Sequence, residues 1–312
     1  MGAARAVGLL LGVAADVIFG DPRRYHPVAA FGRLALVAER ACYADGRLAG
    51  VAYTGALVGA AAATGALVER AGRRRATGEA AATALATWVA LGGASLAAEG
   101  AAMARALDAQ DLHAARARLP HLCGRAPDQL DLPGLARASV ESIAENTSDA
   151  VVAPLLWGAL AGVPGLLAYR AANTLDAMVG YRSARYRRFG WAAARLDDAA
   201  NLVPARATAA LTTLCAPLVG GSAGGAWRVW RRDAAGHPSP NAGQAEAAFA
   251  GALQVRLGGR TVYPHGSEQR PLLGAGRPPD AGDLTRGVAL SRAIGLVAAA
   301  LAAGVAAMVQ EP

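Results

Sequence analysis

The sequence predicts an all-α polytopic membrane protein with four to six spans, its chemistry carried on the polar segments between them. Three observations lead there. Hydrophobic residues make up 54% of the 312 positions and charged residues only 17%, against about 25% charged in soluble domains. So few charges cannot cover that much apolar surface in water. Several apolar stretches also reach the roughly 20 residues that a helix needs to cross a bilayer. Intrinsic disorder is excluded by the same composition, because disorder needs low hydrophobicity.

Each span rests on its own residues. Residues 6–19 are short, follow Arg5 and carry Asp16. They look like a signal peptide, but a polar motif follows directly and favours a retained helix. Residues 48–68 contain no charge, and 80–98 have charges only at their edges, Glu79 and Glu99. Residues 150–169 are uncharged yet hold Pro154, Gly158, Gly162, Pro164 and Gly165. A broken or re-entrant helix is expected there, which a membrane tolerates where protein or water covers the freed backbone. Residues 202–221 include Arg206 and two prolines, and 287–309 include Arg292. Between the spans lie polar segments at 20–47, at 105–149 (helical, broken at Pro120, Pro127 and Pro133) and at 222–286. The last reads as an extramembrane loop with short helices. No repeat or linker divides the chain, so residues 1–312 read as a single domain.

The formal net charge is +8, and all 31 basic residues are Arg. Without lysine there is no Walker phosphate loop and no lysine Schiff base. The arginines are scattered through every polar segment and aromatics are only 5%, which argues against nucleic acid as a partner. Arginine flanking membrane spans is the simpler reading. Cys42, Cys123 and Cys215 are too far apart in sequence for a disulfide framework or a cysteine metal site. The motifs of zincins, α/β-hydrolases and Rossmann dehydrogenases are absent.

Glu141, Glu145 and Asp149 are spaced by four. Each step of four advances only about 40° around an α-helix, so the three carboxylates are expected on one face. Like charges at that spacing repel by a few tenths of a kcal/mol per pair, which a cation or cationic substrate would relieve. These three are catalytic candidates, with Asn146 beside them as a substrate contact. The plainer reading is a helix end whose carboxylates face water.

A second cluster follows. Asn173 and Asp176 are three apart, and Tyr181 and Arg182 come next. Asp197 and Asn201 are four apart, with Arg195, Asp198 and Arg206 around them. Acidic oxygens suit Mg²⁺, which binds through one or two carboxylates plus substrate phosphates. Asp176, Asp197 and Asp198 are therefore metal candidates. Asn173, Tyr181, Arg182, Arg195, Asn201 and Arg206 are candidates for phosphate or substrate, since guanidinium groups grip phosphate bidentately. The alternative is Arg–Asp pairs that lock helices together. Asp21-Pro22 and His26-Pro27 form a rigid turn from which Asp21 and His26 project as acid–base candidates, or serve as ordinary turn residues. Ser239, Asn241 and Glu246, after His237-Pro238, make a similar fixed polar loop with substrate-binding potential.

In order along the chain, several motifs together resemble the CobD/CbiB family. They are Gly20-Asp21-Pro22 with His26-Pro27, Gly124-Arg125 to Leu130-Asp131, Glu141 to Asp149, Asn173 to Tyr181 and Asp197 to Arg206. The last is Ser239-Pro240-Asn241 with Glu246, Gly251 and Gly258-Gly259. The resemblance runs from about residue 12 to 290. It implies an adenosylcobinamide-phosphate synthase of the bacterial inner membrane, acting in cobalamin biosynthesis. Such an enzyme joins adenosylcobyric acid, a corrinoid, to aminopropanol or its phosphate through an amide bond, with ATP as co-substrate and Mg²⁺. Membrane lipid surrounds it, and other membrane enzymes of the pathway, or further copies of the chain, are candidate partners. Two other readings of the acidic clusters stay open: a Mg²⁺-dependent membrane transferase of the CDP-alcohol or prenyl type, and a non-enzymatic AmpE-like sensor.

Overall fold

The computed structural model describes residues 2–22, 26–181, 183–263 and 266–309. The chain runs through α1 (Gly2–Phe19), α2 (Pro27–Cys42), α3 (Arg47–Gly72), α4 (Ala76–Ala90), α5 (Gly93–Asp108), α6 (Leu112–Arg118) and α7 (Leu132–Thr147). It continues with α8 (Ala153–Val179), α9 (Tyr186–Phe189), α10 (Trp191–Ala200), α11 (Leu202–Cys215), α12 (Ala223–Asp233) and α13 (Ala242–Leu253). A hairpin of β1 (Leu257–Tyr263) and β2 (Gly266–Leu273) precedes the last helix, α14 (Ala281–Met308). Six helical stretches are long and apolar enough to cross a membrane: Gly2–Phe19, Arg47–Gly72, Ala76–Asp108, Leu132–Val179, Leu202–Val219 and Ala281–Met308. They coincide with the six stretches read from the sequence, and the chain is a multi-pass membrane protein. Its residues pack as two compact units, each assembled from separated segments.

The first unit comprises Met1–Gly92, Ala153–Asn201 and Ala298–Pro312. α1 packs against α4 through Gly8 and Gly12, where a Cβ on Gly12 would stand 2.4 Å from the Thr87 Cβ. Small residues at four-residue spacing let helix backbones approach closely, the usual means of association between membrane helices. A core of Ala35, Tyr53, Leu57, Leu175 and Val179 surrounds Phe189. The Phe189 ring lies 5.0 Å from that of Tyr53 and 5.2 Å from that of Tyr43. The segment 20–47, read as polar, is mostly α2. Pro27 opens it and His26 caps it, Nδ1 accepting from the Val28 N–H at 3.1 Å.

The break expected within 150–169 is present in α8. Ala161 and Gly162 leave the helical region, Gly162 at φ 62°. The helix restarts at Val163, whose N–H donates to Glu69 Oε2 at 2.7 Å. Arg73 (2.6 Å) and Arg5 (3.6 Å) stand against the other Glu69 oxygen. A carboxylate at the start of a helix satisfies an orphan N–H and complements the helix dipole. Gly162 is needed twice over. Its φ suits glycine, and a Cβ there would lie 2.2 Å from Glu69 Oε2. Gly162→Ala should therefore destabilise the protein by about 2 kcal/mol or more. Thermal melts in detergent check this, and an unchanged melting temperature would refute it.

The second unit comprises Gly93–Val152 and Leu202–Val297. Asp131 caps α7 by accepting from Gly134 N–H at 2.9 Å, and Pro133 lies within the first turn. Pro133 thus opens a helix instead of breaking one, because the first-turn N–H groups need no intrahelical partner. Pro120 and Pro127 start short 3₁₀ turns. Helix α13 is buried on nearly every side, as expected of a helix apolar all round. Residues 222–286 hold more than the short helices expected. β1 and β2 pair antiparallel, Gly259 opposite Arg270 and Thr261 opposite Glu268, with a bulge between Leu257 and Gly259.

Candidate active site

Helix α7 supplies the first wall of a charged cluster in the second unit. Arg137, Glu141 and Glu145 follow one another at four-residue spacing, so they share a face. The face expected from the sequence was Glu141, Glu145 and Asp149. After Thr147 the chain enters a π turn, Ser148–Val152, and Asp149 falls inside it. The wider i→i+5 winding of a π turn ends the 100° advance on which that expectation rested.

Glu141 is 1% exposed and ion-paired with Arg125, itself 8% exposed. Its other oxygen accepts from Gly258 N–H at 2.7 Å. One turn earlier Arg137 donates to the Gly258 carbonyl and, at 2.6 Å, to that of Arg260. α7 thus grips the start of β1 with a carboxylate and a guanidinium one turn apart. Gly258 and Gly259 have φ of 80° and 83°, and a Cβ on Gly258 would stand 1.9 Å from the Pro271 carbonyl oxygen. No other residue type fits that bulge.

The opposite wall comes from α13, β2 and the loop before α13. Glu246, 1% exposed, is the one charge on α13. His237 Nε2 is 3.8 Å from Glu246 Oε2, and Arg270 Nη1 is 3.9 Å from Oε1. At these distances the ion pairs are not hydrogen bonds. Among the described residues neither Glu246 oxygen has a hydrogen-bond partner, and Arg125 Nη1 and Arg137 Nε are likewise buried without one. The His237 ring is held by Ser239, with Nδ1 3.1 Å from its N–H and 3.3 Å from its carbonyl oxygen. The Ser239 hydroxyl accepts from Asn241 and Ala242 N–H at 3.3 and 3.1 Å, starting α13. Asn241 is buried.

Burial pushes the Glu246 pKa well above the ordinary carboxylate range. Repulsion from Glu141 and Glu145 adds to the rise, and Arg270 and Arg125 offset only part of it. His237 is displaced downward, first by burial and then by the Arg270 charge, so the ring is neutral near pH 7. Buried acceptors on Glu246 and buried donors on Arg125 and Arg137 are therefore left unpaired in the same cluster. Native proteins pair nearly all their buried polar groups, and a catalytic role is one of the reasons for an exception.

The structure brings Glu141, Glu145, Glu246, Ser239 and Asn241 of the expected residues to this cluster. Asn146 turns back on its own helix, donating to the Ser142 carbonyl at 2.9 Å. The other expected residues are mostly in the first unit. There Asn173 Nδ2 donates to Asp197 Oδ1 at 3.2 Å, and the Tyr169 hydroxyl donates to Asn201 at 2.9 Å. Asp176 lies against Gly180, and Arg195 and Asp198 form an outer pair at 3.7 Å. Tyr181 is exposed, Asp21 is half-buried, and Arg182 lies outside the described residues. Arg206, in the second unit, is exposed and donates to Leu202 of its own helix at 2.8 Å. Among the described residues no group of three or more His, Cys, Asp or Glu side chains is arranged to hold a metal. Mg²⁺ shared with substrate phosphates needs only one or two carboxylates, and the Asp197–Asp198 segment offers those.

Sequence reasoning missed Arg125, Arg137, His237 and Arg270 as site residues. Arg137 had a legible signal, one turn before Glu141. Arg270 had none, because only the hairpin register brings it to Glu246.

The chain matches the model of the CobD/Cbib protein family over residues 9–291. It is 60% identical over 298 residues to the "Cobalamin biosynthesis protein CobD" of Mycobacterium tuberculosis, covering 96% of this chain and 95% of that one. It is 46% identical to the protein of the same name from Geobacter metallireducens, over 85% of both chains. The Chromobacterium violaceum protein of that name is 43% identical over 91% of both. No solved structure matches it. A match across nearly the whole chain, with relatives of almost the same span, settles the grouping: the chain belongs to the CobD/CbiB family.

Proposed function

We propose that the chain acts in cobalamin biosynthesis as an ATP- and Mg²⁺-dependent amide ligase. Its substrates are the carboxylate of adenosylcobyric acid and the amine of aminopropanol or aminopropanol phosphate. The observation that carries this reading is Glu246, a buried carboxylate without a hydrogen-bond donor, set among Arg125, Arg270 and His237. A carboxylate is a poor acyl donor because oxide would have to leave. ATP supplies the remedy by placing a phosphoryl group on that oxygen, so that phosphate leaves instead. The amine nitrogen then bonds to the acyl carbon, the carbon–oxygen bond to phosphate breaks, and the nitrogen sheds a proton.

Glu246 is the acceptor for that proton. Its raised pKa brings it closer to the amine it must deprotonate, which improves a general base. Arg125 is fixed by Glu141, and its buried Nη1 is available to an anionic oxygen. Arg270 adds positive charge where the acyl oxygen and phosphate gain negative charge. Glu145, exposed on the same face of α7, is the carboxylate that meets the substrate amine or a phosphate-bound Mg²⁺. Within the first unit, Asp176, Asp197 and Asp198 offer hard oxygens of their own that would suit Mg²⁺.

Purified, detergent-solubilised protein should convert adenosylcobyric acid, aminopropanol phosphate, ATP and Mg²⁺ into a corrinoid heavier by one amide-linked aminopropanol phosphate. Free aminopropanol is the second substrate to offer. A folded protein that consumes no ATP and forms neither amide would overturn the ligase reading in favour of a sensor.

A further inference from the structure

We infer that a cleft between α5 and α14, within the second unit, binds the headgroup phosphate of an anionic phospholipid. The cleft encloses about 450 Å³ and is lined by Arg105 and Arg292 over a floor that includes Ala101 and Ala104. Both arginines are exposed. Among the described residues neither guanidinium has an ion-pair or hydrogen-bond partner. Both stand on segments long and apolar enough to cross a membrane, Ala76–Asp108 and Ala281–Met308. Arg292 stands five residues beyond Gly287, where the apolar run of α14 begins after Asp283 and Arg286, which places it roughly 8 Å along that run.

A guanidinium without a protein partner inside an apolar run is costly unless it finds an anion or snorkels to the interface. A phosphate in the cleft supplies the anion, and the planar guanidinium fork is the side chain best matched to it. Asp108 also lines the cleft, so two positive charges meet one negative charge. The remaining positive charge favours a lipid with net negative charge over a zwitterionic one. The small alanine floor leaves room for a headgroup. Because the two arginines are carried on membrane-crossing helices, the lipid itself is the source of the phosphate.

The test uses the full chain in nanodiscs of phosphatidylcholine, with or without phosphatidylglycerol. Phosphatidylglycerol should raise the melting temperature by at least about 3 °C. The R105Q/R292Q variant should lose most of that rise. R105K/R292K, which keeps the charge but not the fork, should lose part of it and serves if the Gln variant does not fold. Inorganic phosphate added to phosphatidylcholine discs should produce no rise. An undiminished rise in the variants, or a rise reproduced by free phosphate, would overturn the assignment.

Discussion

Replacing Glu246 with Gln should abolish amide formation and leave the protein more stable at neutral pH. The catalytic loss follows from removing the proton acceptor, an effect of about 10²–10⁴-fold where a positioned base is lost. Gln fills the same space on α13, so a structural cause is not expected to contribute. The gain in stability follows from linkage. The groups facing Glu246 are His237 and Arg270, with Glu141, Glu145 and Arg125 acting on it from across the cluster. Their net effect, with burial, is a folded-state pKa well above that of the unfolded chain.

Folded protein therefore binds more protons than unfolded protein between those two values. Stability is complete below the unfolded value, near 4.3 for Glu, and falls as pH rises toward and through the folded one. Gln has no proton to lose and escapes that fall. The melting temperature of E246Q should exceed that of the native protein at about pH 7–8, with the gap closing toward pH 5. A constant difference across that range would show that Glu246 does not titrate as a buried acid. Near-normal turnover would remove it from the mechanism.

The legibility of such a site depends on how far apart in sequence its residues lie. The spans were readable because length and apolarity are local properties, and all six reappear as helices. Pro164 and the neighbouring glycines also announced the broken α8. What covers the break was not readable, since Glu69 looks like an ordinary charge near the end of α3. Only packing brings it to Val163.

The same division runs through the candidate site. Glu141 and Glu145 are neighbours on one helix, so a four-residue spacing found them. Asp149 lies past the end of α7, in the π winding that starts at Ser148, where a spacing argument that assumes an uninterrupted α-helix no longer applies. Arg270 reaches Glu246 through a strand register that no local pattern encodes. Glu246 was legible only as part of a fixed polar loop, whereas it stands on the buried helix α13. The paired glycines at 258 and 259 were noticed as a motif, whereas their purpose depends on two α7 side chains more than a hundred residues away.

Arg125→Met should be the most destabilising single change in the cluster. It would leave the Glu141 carboxylate 1% exposed, with the Gly258 N–H as its remaining close partner. Breaking a buried pair from one side typically costs about 3–5 kcal/mol, because the surviving charge stays desolvated. In a chain of this size that is a fall of about 6–15 °C in melting temperature. Removing both charges is a different matter. In R125M/E141Q the Gln carbonyl still accepts from Gly258, no bare charge remains, and most of the lost stability should return. Activity should not return with it, since the guanidinium assigned to the substrate's anionic oxygen is gone. Thermal melts and product assays on the single and double variants separate the two roles. If the double variant recovers activity along with stability, Arg125 is only a partner for Glu141. If the single variant costs less than about 1 kcal/mol, the pair is screened by water as a surface pair would be, and the cluster is too open for the proposed chemistry.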